Sequence, residues 1–197
     1  MEVIIGFYAA AFALAGSPGP NTLSLAAVGA AFGWRRGLAY MLGLTLGMVF
    51  VIALVGSGIA GLLSVIPGAA PVVAALAAAY FLYLAYRIAT APPLSEGSAK
   101  GRPPSWIAAV FVSLANPKAY AAMAAMFSGF VLVGGNALAD AGVKSALLMS
   151  VIIAVNIVWL FAGSALTPFF RNPRTSRILN IGFAIALLVS VAAALLL

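Results

Sequence analysis

Residues 16–22, Gly16-Ser17-Pro18-Gly19-Pro20-Asn21-Thr22, interrupt an apolar run that carries no charge from residue 3 to 15 and resumes from 23 to 32. Pro18 and Pro20 lack amide donors and Gly19 eases a turn, so one helix is predicted to stop near Gly16 and another to start near Pro20. Unbroken, residues 3–32 would form a helix of about 45 Å, against a bilayer core of about 30 Å. Broken, they fit. Non-helical backbone at membrane depth is tolerated only where protein or a wet cavity satisfies it, so the break implies a cavity. The second half-helix would aim its free amides, together with Asn21 and Thr22, at that cavity, a disposition suited to anions. The plainer alternative is a proline kink that only shapes packing. Two prolines around a glycine, followed by Asn-Thr, are more than a kink requires.

The rest of the chain belongs in a bilayer. Of 197 residues, 65% are hydrophobic and 7% charged, with a mean hydropathy of +1.19; a soluble domain has about a quarter charged residues. Cysteine and histidine are absent, and Glu2, Glu96 and Asp140 are the only acids. That set excludes thiol redox chemistry, disulfides and nearly every metal-ligand or triad arrangement, so no cofactor or metal is expected. An intramembrane enzyme has no nucleophile and base to work with. The net charge of +7 comes from Lys and Arg in pairs and triplets between apolar segments, which reads as topology and not as nucleic-acid binding. Glu2 stands where a cleaved signal peptide would be basic, which argues against cleavage despite Ala13-Leu14-Ala15.

Taken in order, the sequence predicts an all-α integral membrane protein of six transmembrane helices. The first is the broken segment 3–32, closed by Trp34-Arg35-Arg36. The second spans 37–59 with Gly43 and Gly47 four apart, a small face for close helix approach. The third spans 71–88 after a turn at Pro67-Gly68, with Tyr80, Tyr83, Tyr86 and Arg87 as an interfacial belt. Residues 91–104 form a hydrophilic linker containing Glu96, Lys100 and Arg102. The fourth segment, 105–133, is interrupted at Asn116-Pro117-Lys118; the fifth spans 144–166 and the sixth 178–197.

Lys and Arg set the orientation of short loops. Arg35, Arg36, Arg87, Lys100, Arg102, Arg171, Arg174 and Arg177 fall on one side and Lys144 alone on the other, so both termini are expected outside; a re-entrant first segment would move the amino terminus inside without altering the rest. The chain divides into a repeat at 3–90 and a repeat at 105–197 within one membrane domain, each with three spans and the first span broken. An odd number of spans inverts the second repeat relative to the first. Interrupted segments at matching positions of two halves point to a transporter site at the midplane.

The candidate substrate-binding residues are Ser17, Pro18, Gly19, Pro20, Asn21, Thr22, Thr45, Asn116, Pro117, Lys118 and Asn156. Lys118 is the basic residue well inside an apolar run, and burying it costs about 2.5–3.5 kcal/mol. It either counters a substrate carboxylate or snorkels to the interface. Asn21 and Asn116 either contact substrate or satisfy broken backbone. Thr45 and Asn156 complete a polar lining or, more in keeping with their setting, bridge helices.

Residues 17–22 (Ser-Pro-Gly-Pro-Asn-Thr), 33–38 (Gly-Trp-Arg-Arg-Gly-Leu) and 42–47 (Leu-Gly-Leu-Thr-Leu-Gly) resemble the amino-terminal signature of the lysine exporter and homoserine/threonine exporter (LysE/RhtB) family. Residues 80–87 and 111–119, with Asn116-Pro117-Lys118-Ala119, are similar to its third and fourth segments. The resemblance implies an exporter of amino acids or related small metabolites in a bacterial inner membrane, driven by the proton motive force and assembled as a homodimer. One departure stands out: Met48 occupies a place where the family often has an acid. No carboxylate is then expected within a span, so a basic cargo would lack a partner and neutral amino acids are favoured. Their ammonium would rest on carbonyls freed at residues 15–17, and their carboxylate on the opposed half-helix start. Efflux of another solute or cation, or a structural subunit of a membrane complex, are the competing readings.

Overall fold

A computed structural model describes residues 1–58, 69–90, 102–166, 168 and 172–196. Every regular element among them is helical: α1 (Glu2–Gly16), α2 (Pro20–Phe32), α3 (Trp34–Gly56), α4 (Ala69–Ala89), α5 (Trp106–Leu114), α6 (Pro117–Gly129), α7 (Ala137–Ala165) and α8 (Pro173–Leu196). The chain breaks where the prolines require it. Pro20 and Pro117 each sit at the first position of a helix, where a missing amide removes no intrahelical bond.

The α1–α2 pair bends by 59° at its break, and the α5–α6 pair bends by 59° at the second. Each pair is together long and apolar enough to cross a membrane, as are α3, α7 and residues Pro173–Ala192 of α8, giving up to five spans among the described residues. Helix α4 coincides with the third expected span, whose lead-in at 59–68, including the turn at Pro67-Gly68, lies outside the described residues. So do most of the hydrophilic linker, with Glu96 and Lys100, and Arg171. The exterior is apolar: Ile5, Leu42, Phe50, Leu82, Phe111, Val158 and Val189 are all exposed, as side chains facing lipid should be. This is a multi-pass membrane protein.

Several boundaries differ from the sequence expectation. Trp34, Arg35 and Arg36 open α3 directly, because Gly33 at φ +76° turns the chain with no further residues. The fourth segment stops at Gly129 and the fifth starts at Ala137, seven residues before Lys144. Lys144 is thus not a loop charge. It is 3% exposed, pairs with Asp140 one turn earlier at 2.6 Å, and donates to the Phe127 carbonyl at 2.9 Å. The helix runs on through both residues, whose opposite charges pair one turn apart.

Helix α2 is the axis of the bundle. It is buried from Thr22 to Ala30, packed by α7 on one side and α3 on another. Gly163 lets the α2 backbone approach, since a Cβ there would meet the Ala26 carbonyl. The expected small face of α3 receives α5: a Cβ on Gly47 would lie 2.6 Å from Ser113 Cβ and 2.8 Å from the Val110 carbonyl. Two apolar cores result, one where α4 packs on α8 through Phe81, Leu84 and Leu187, the other joining Phe7, Met48, Met123, Leu148 and Val151. The two breaks meet beside the second core.

Candidate functional site

Each break is satisfied by the other half of the chain. Helix α1 ends with carbonyls that have no intrahelical partner. Trp159 Nε1 on α7 donates to the Gly16 carbonyl at 3.2 Å. Lys118 Nζ, in the first turn of α6, donates to the Ser17 carbonyl at 2.9 Å, to Ser17 Oγ at 2.7 Å and to the Pro18 carbonyl at 2.9 Å. Three donors meet three oxygens, so the ammonium is fully engaged. Gly19 makes this possible, because a Cβ there would stand 2.9 Å from Lys118 Cδ.

The reciprocal contact runs from α2 to the second break. Asn116 Nδ2 donates to Asn21 Oδ1 at 3.0 Å, and Asn21 Nδ2 donates to Ser113 Oγ at 3.0 Å. Ser113 Oγ in turn donates to the Leu44 carbonyl at 2.9 Å, tying the chain to α3. Asn116 is 4% exposed, and its Oδ1 is a buried acceptor with no partner among the described residues. An orphan acceptor of that kind costs about 1–3 kcal/mol unless a ligand or water serves it.

These groups surround one cavity. Its wall includes Ser17, Gly19, Asn21, Thr22, Asn116, Lys118 and Asn156, with Met48, Ala122, Met123 and Val155 as an apolar side. Of the other residues singled out from the sequence, Pro18, Pro20 and Pro117 shape the breaks and stand outside the wall, as does Thr45. Thr45 Oγ1 receives Asn156 Nδ2 at 3.1 Å, so this pair bridges α3 and α7 while Asn156 also faces the cavity. Ser113, Trp159 and Met123 escaped the sequence reading. Ser113 and Trp159 sit in otherwise apolar helical runs, and only the fold brings them to the breaks.

Two helix N-termini, α2 and α6, open on the cavity, and neither N-cap residue supplies a side-chain acceptor to its first-turn amides. The Gly19 N–H is taken by Thr22 Oγ1 at 2.9 Å, leaving the first-turn amides beyond it without intrahelical carbonyls. Positive dipole ends and the Lys118 ammonium therefore converge beside an orphan oxygen. Such a wall offers donors for a carboxylate and an acceptor for an ammonium, with no acidic side chain in it. The carbonyls of Ser17 and Gly16, expected free for a cargo ammonium, are held by Lys118 and Trp159 in this conformation. The space left is about 50 Å³, enough for a few waters.

The family model described as LysE type translocator matches residues 12–197. Among curated relatives, a cysteine/O-acetylserine efflux protein of Escherichia coli O139:H28 (strain E24377A / ETEC) is 31% identical over 173 residues, covering 87% of each chain. Proteins of the same description from Escherichia coli (strain K12) and Shigella flexneri serotype 5b (strain 8401) are 31% identical over 172 residues, covering 87% of this chain and 86% of theirs. No solved structure matches. A match over nearly the whole chain, carrying both broken helices and the cavity between them, makes this protein a member of the LysE translocator family.

Proposed function

We propose that the protein is a secondary transporter that exports amino acids or their close derivatives, neutral ones by preference, by alternating access between two inverted three-helix repeats. One observation carries the reading: two helix N-termini, Lys118 and the orphan Asn116 Oδ1 surround a single cavity that has no acidic side chain. A zwitterion has a carboxylate for the first three and an ammonium for the last. Met48, in the wall and 5% exposed, fills the place where a carboxylate would suit a basic cargo. The relatives' description as cysteine/O-acetylserine efflux proteins supports a small neutral cargo. The equal 59° bends of the two pairs support an inverted repeat.

Binding requires Lys118 to leave the Ser17 and Pro18 carbonyls. The cargo ammonium then takes those oxygens and Asn116 Oδ1, while the released Lys118 meets the cargo carboxylate. The basic helix ends face the cytoplasm and both termini the outside, by the loop-charge bias. Flux of labelled amino acids and of O-acetylserine in proteoliposomes, with and without a pH gradient, tests the reading beside an Asn21→Ala control. Saturable flux of a neutral zwitterion, lost in the variant, is expected. Preference for lysine over leucine or threonine would refute the neutral assignment, and absence of any flux would refute the transporter.

A further inference from the structure

A second cavity lies at the basic end of the bundle. Its volume is about 180 Å³, more than three times that of the central one. Ser24 and Asn180, 1% and 2% exposed, stand in its wall, and Arg87, Thr90 and Arg102 are its exposed polar residues. The remaining wall is aliphatic and aromatic, from α2, α4 and the approach to α5. Arg87 Nη1 donates to Tyr83 Oη at 2.8 Å, and its guanidinium lies 5.8 Å from the Tyr83 ring. That anchors one edge of the fork and leaves its other N–H groups for a ligand. Among the described residues neither guanidinium has an acidic partner.

The two cavities are joined by α2. Asn21 lines the central one and Ser24 the second, and Ser24 Oγ donates to the Asn21 carbonyl at 3.0 Å. Residues 21, 24, 28 and 31 follow one stripe of the helix, and one turn, about 5 Å along the axis, separates the two linings. Loop charge alone places arginines near the membrane surface; it does not set two of them around a cavity with buried polar side chains.

We propose that this second cavity is a carboxylate-binding vestibule, in which Arg87 and Arg102 hold the carboxylate of a small solute before it passes along α2 to the central site. Two planar guanidinium forks match a carboxylate, and the aliphatic wall accommodates a short side chain. A lipid phosphate shares that chemistry, so the test must separate the two. The identity of the solute rests on the export reading, whereas the anion site does not.

The probe is trifluoroacetate, followed by fluorine resonance broadening on the full chain in phosphatidylcholine nanodiscs. Broadening is expected for the wild type and for Asn21→Ala. It should weaken about tenfold or more in Arg87→Gln/Arg102→Gln, and return only in part in Arg87→Lys/Arg102→Lys, which keeps the charge without the planar fork and also controls for folding. No broadening, or broadening indifferent to the arginines, overturns the proposal, as does loss in Asn21→Ala alone, which would put the anion in the central cavity. Displacement of the probe by phosphatidylglycerol but not by O-acetylserine would assign the cavity to lipid and overturn the solute vestibule. In proteoliposomes loaded from the basic side, the glutamine pair should raise KM for O-acetylserine about tenfold with the maximal rate kept. If wild-type flux is absent, the export reading fails while the fluorine measurement still decides the anion site.

Discussion

Lys118→Met separates the two roles open to this side chain. The substitution keeps nearly its length and removes only the ammonium, whose three bonds to Ser17 and Pro18 lie between 2.7 and 2.9 Å. Hydrogen bonds to a charged group contribute about 1.5–3 kcal/mol each. Against them stands the roughly 2.5–3.5 kcal/mol cost of holding a lysine at membrane depth, which the variant no longer bears. Water in the cavity also takes up freed acceptors. The net loss of stability is about 2 kcal/mol, or about 4–8 °C in melting temperature for a chain of this length. The effect on transport should be larger. Removing the partner of a desolvated carboxylate weakens binding by about 2–4 kcal/mol, which is roughly 30- to 1,000-fold. The assay pairs thermal melting in detergent with zwitterion flux at matched incorporation into proteoliposomes. Wild-type flux from a variant that melts several degrees lower would refute the reasoning, because Lys118 would then be a strut across the break and nothing more.

Gly47→Ala forces a methyl against Ser113 Cβ at 2.6 Å, and should lower stability by about 1–3 kcal/mol; Gly142→Ala, with nothing within 4 Å, is the control expected to melt at or above the wild type. Thr45→Val loses its bond from Asn156, at about 0.6 kcal/mol, and should keep its flux because Thr45 stands outside the cavity wall. Asp140→Asn should destabilise by stranding the buried Lys144 ammonium and weakening the bonds from the Leu132 and Val133 amides. Adding Lys144→Met should restore part of that loss in a melting series. The chain has no native cysteine, so Arg36→Cys and Leu138→Cys report orientation directly. An impermeant thiol reagent added to intact cells should label the second and spare the first.

The breaks were legible because proline and glycine act through the backbone, which is local. Pro20 and Pro117 predict helix starts wherever they stand, and both helices begin there. The small face of Gly43 and Gly47 was equally local, although only the structure identifies α5 as its partner. What the sequence hid is pairing between distant residues. Lys118 and Ser17 are 101 positions apart, and no periodicity relates them. The Lys144–Asp140 pair was missed for a different reason: charges were read as marks of a loop, whereas two opposite charges one turn apart on a helix cancel and can be buried together. The anchoring of α1 by Trp159 was masked by its surroundings, since a tryptophan in an apolar run reads as lipid-facing until its N–H is seen on the Gly16 carbonyl.

The pattern of satisfaction has a consequence for how such a protein could move. Backbone freed at the first break is held by α6 and α7, and the side chains at the second break are held by Asn21 on α2. Separating the two halves without a ligand would strand the Ser17 and Pro18 carbonyls, the Lys118 ammonium and the Asn21–Asn116 pair together. Each stranded group costs about 1–3 kcal/mol, and the charged one more. That sum opposes movement of the empty protein. A zwitterion changes the balance, because its ammonium can replace Lys118 on the carbonyls and its carboxylate can receive the displaced lysine. On the proposed reading, cargo is therefore the piece that lets the halves part with their polar groups still paired. Only a ligand carrying both charges does this; a bare amine or a bare carboxylate leaves one side of the exchange unpaired and should be transported poorly.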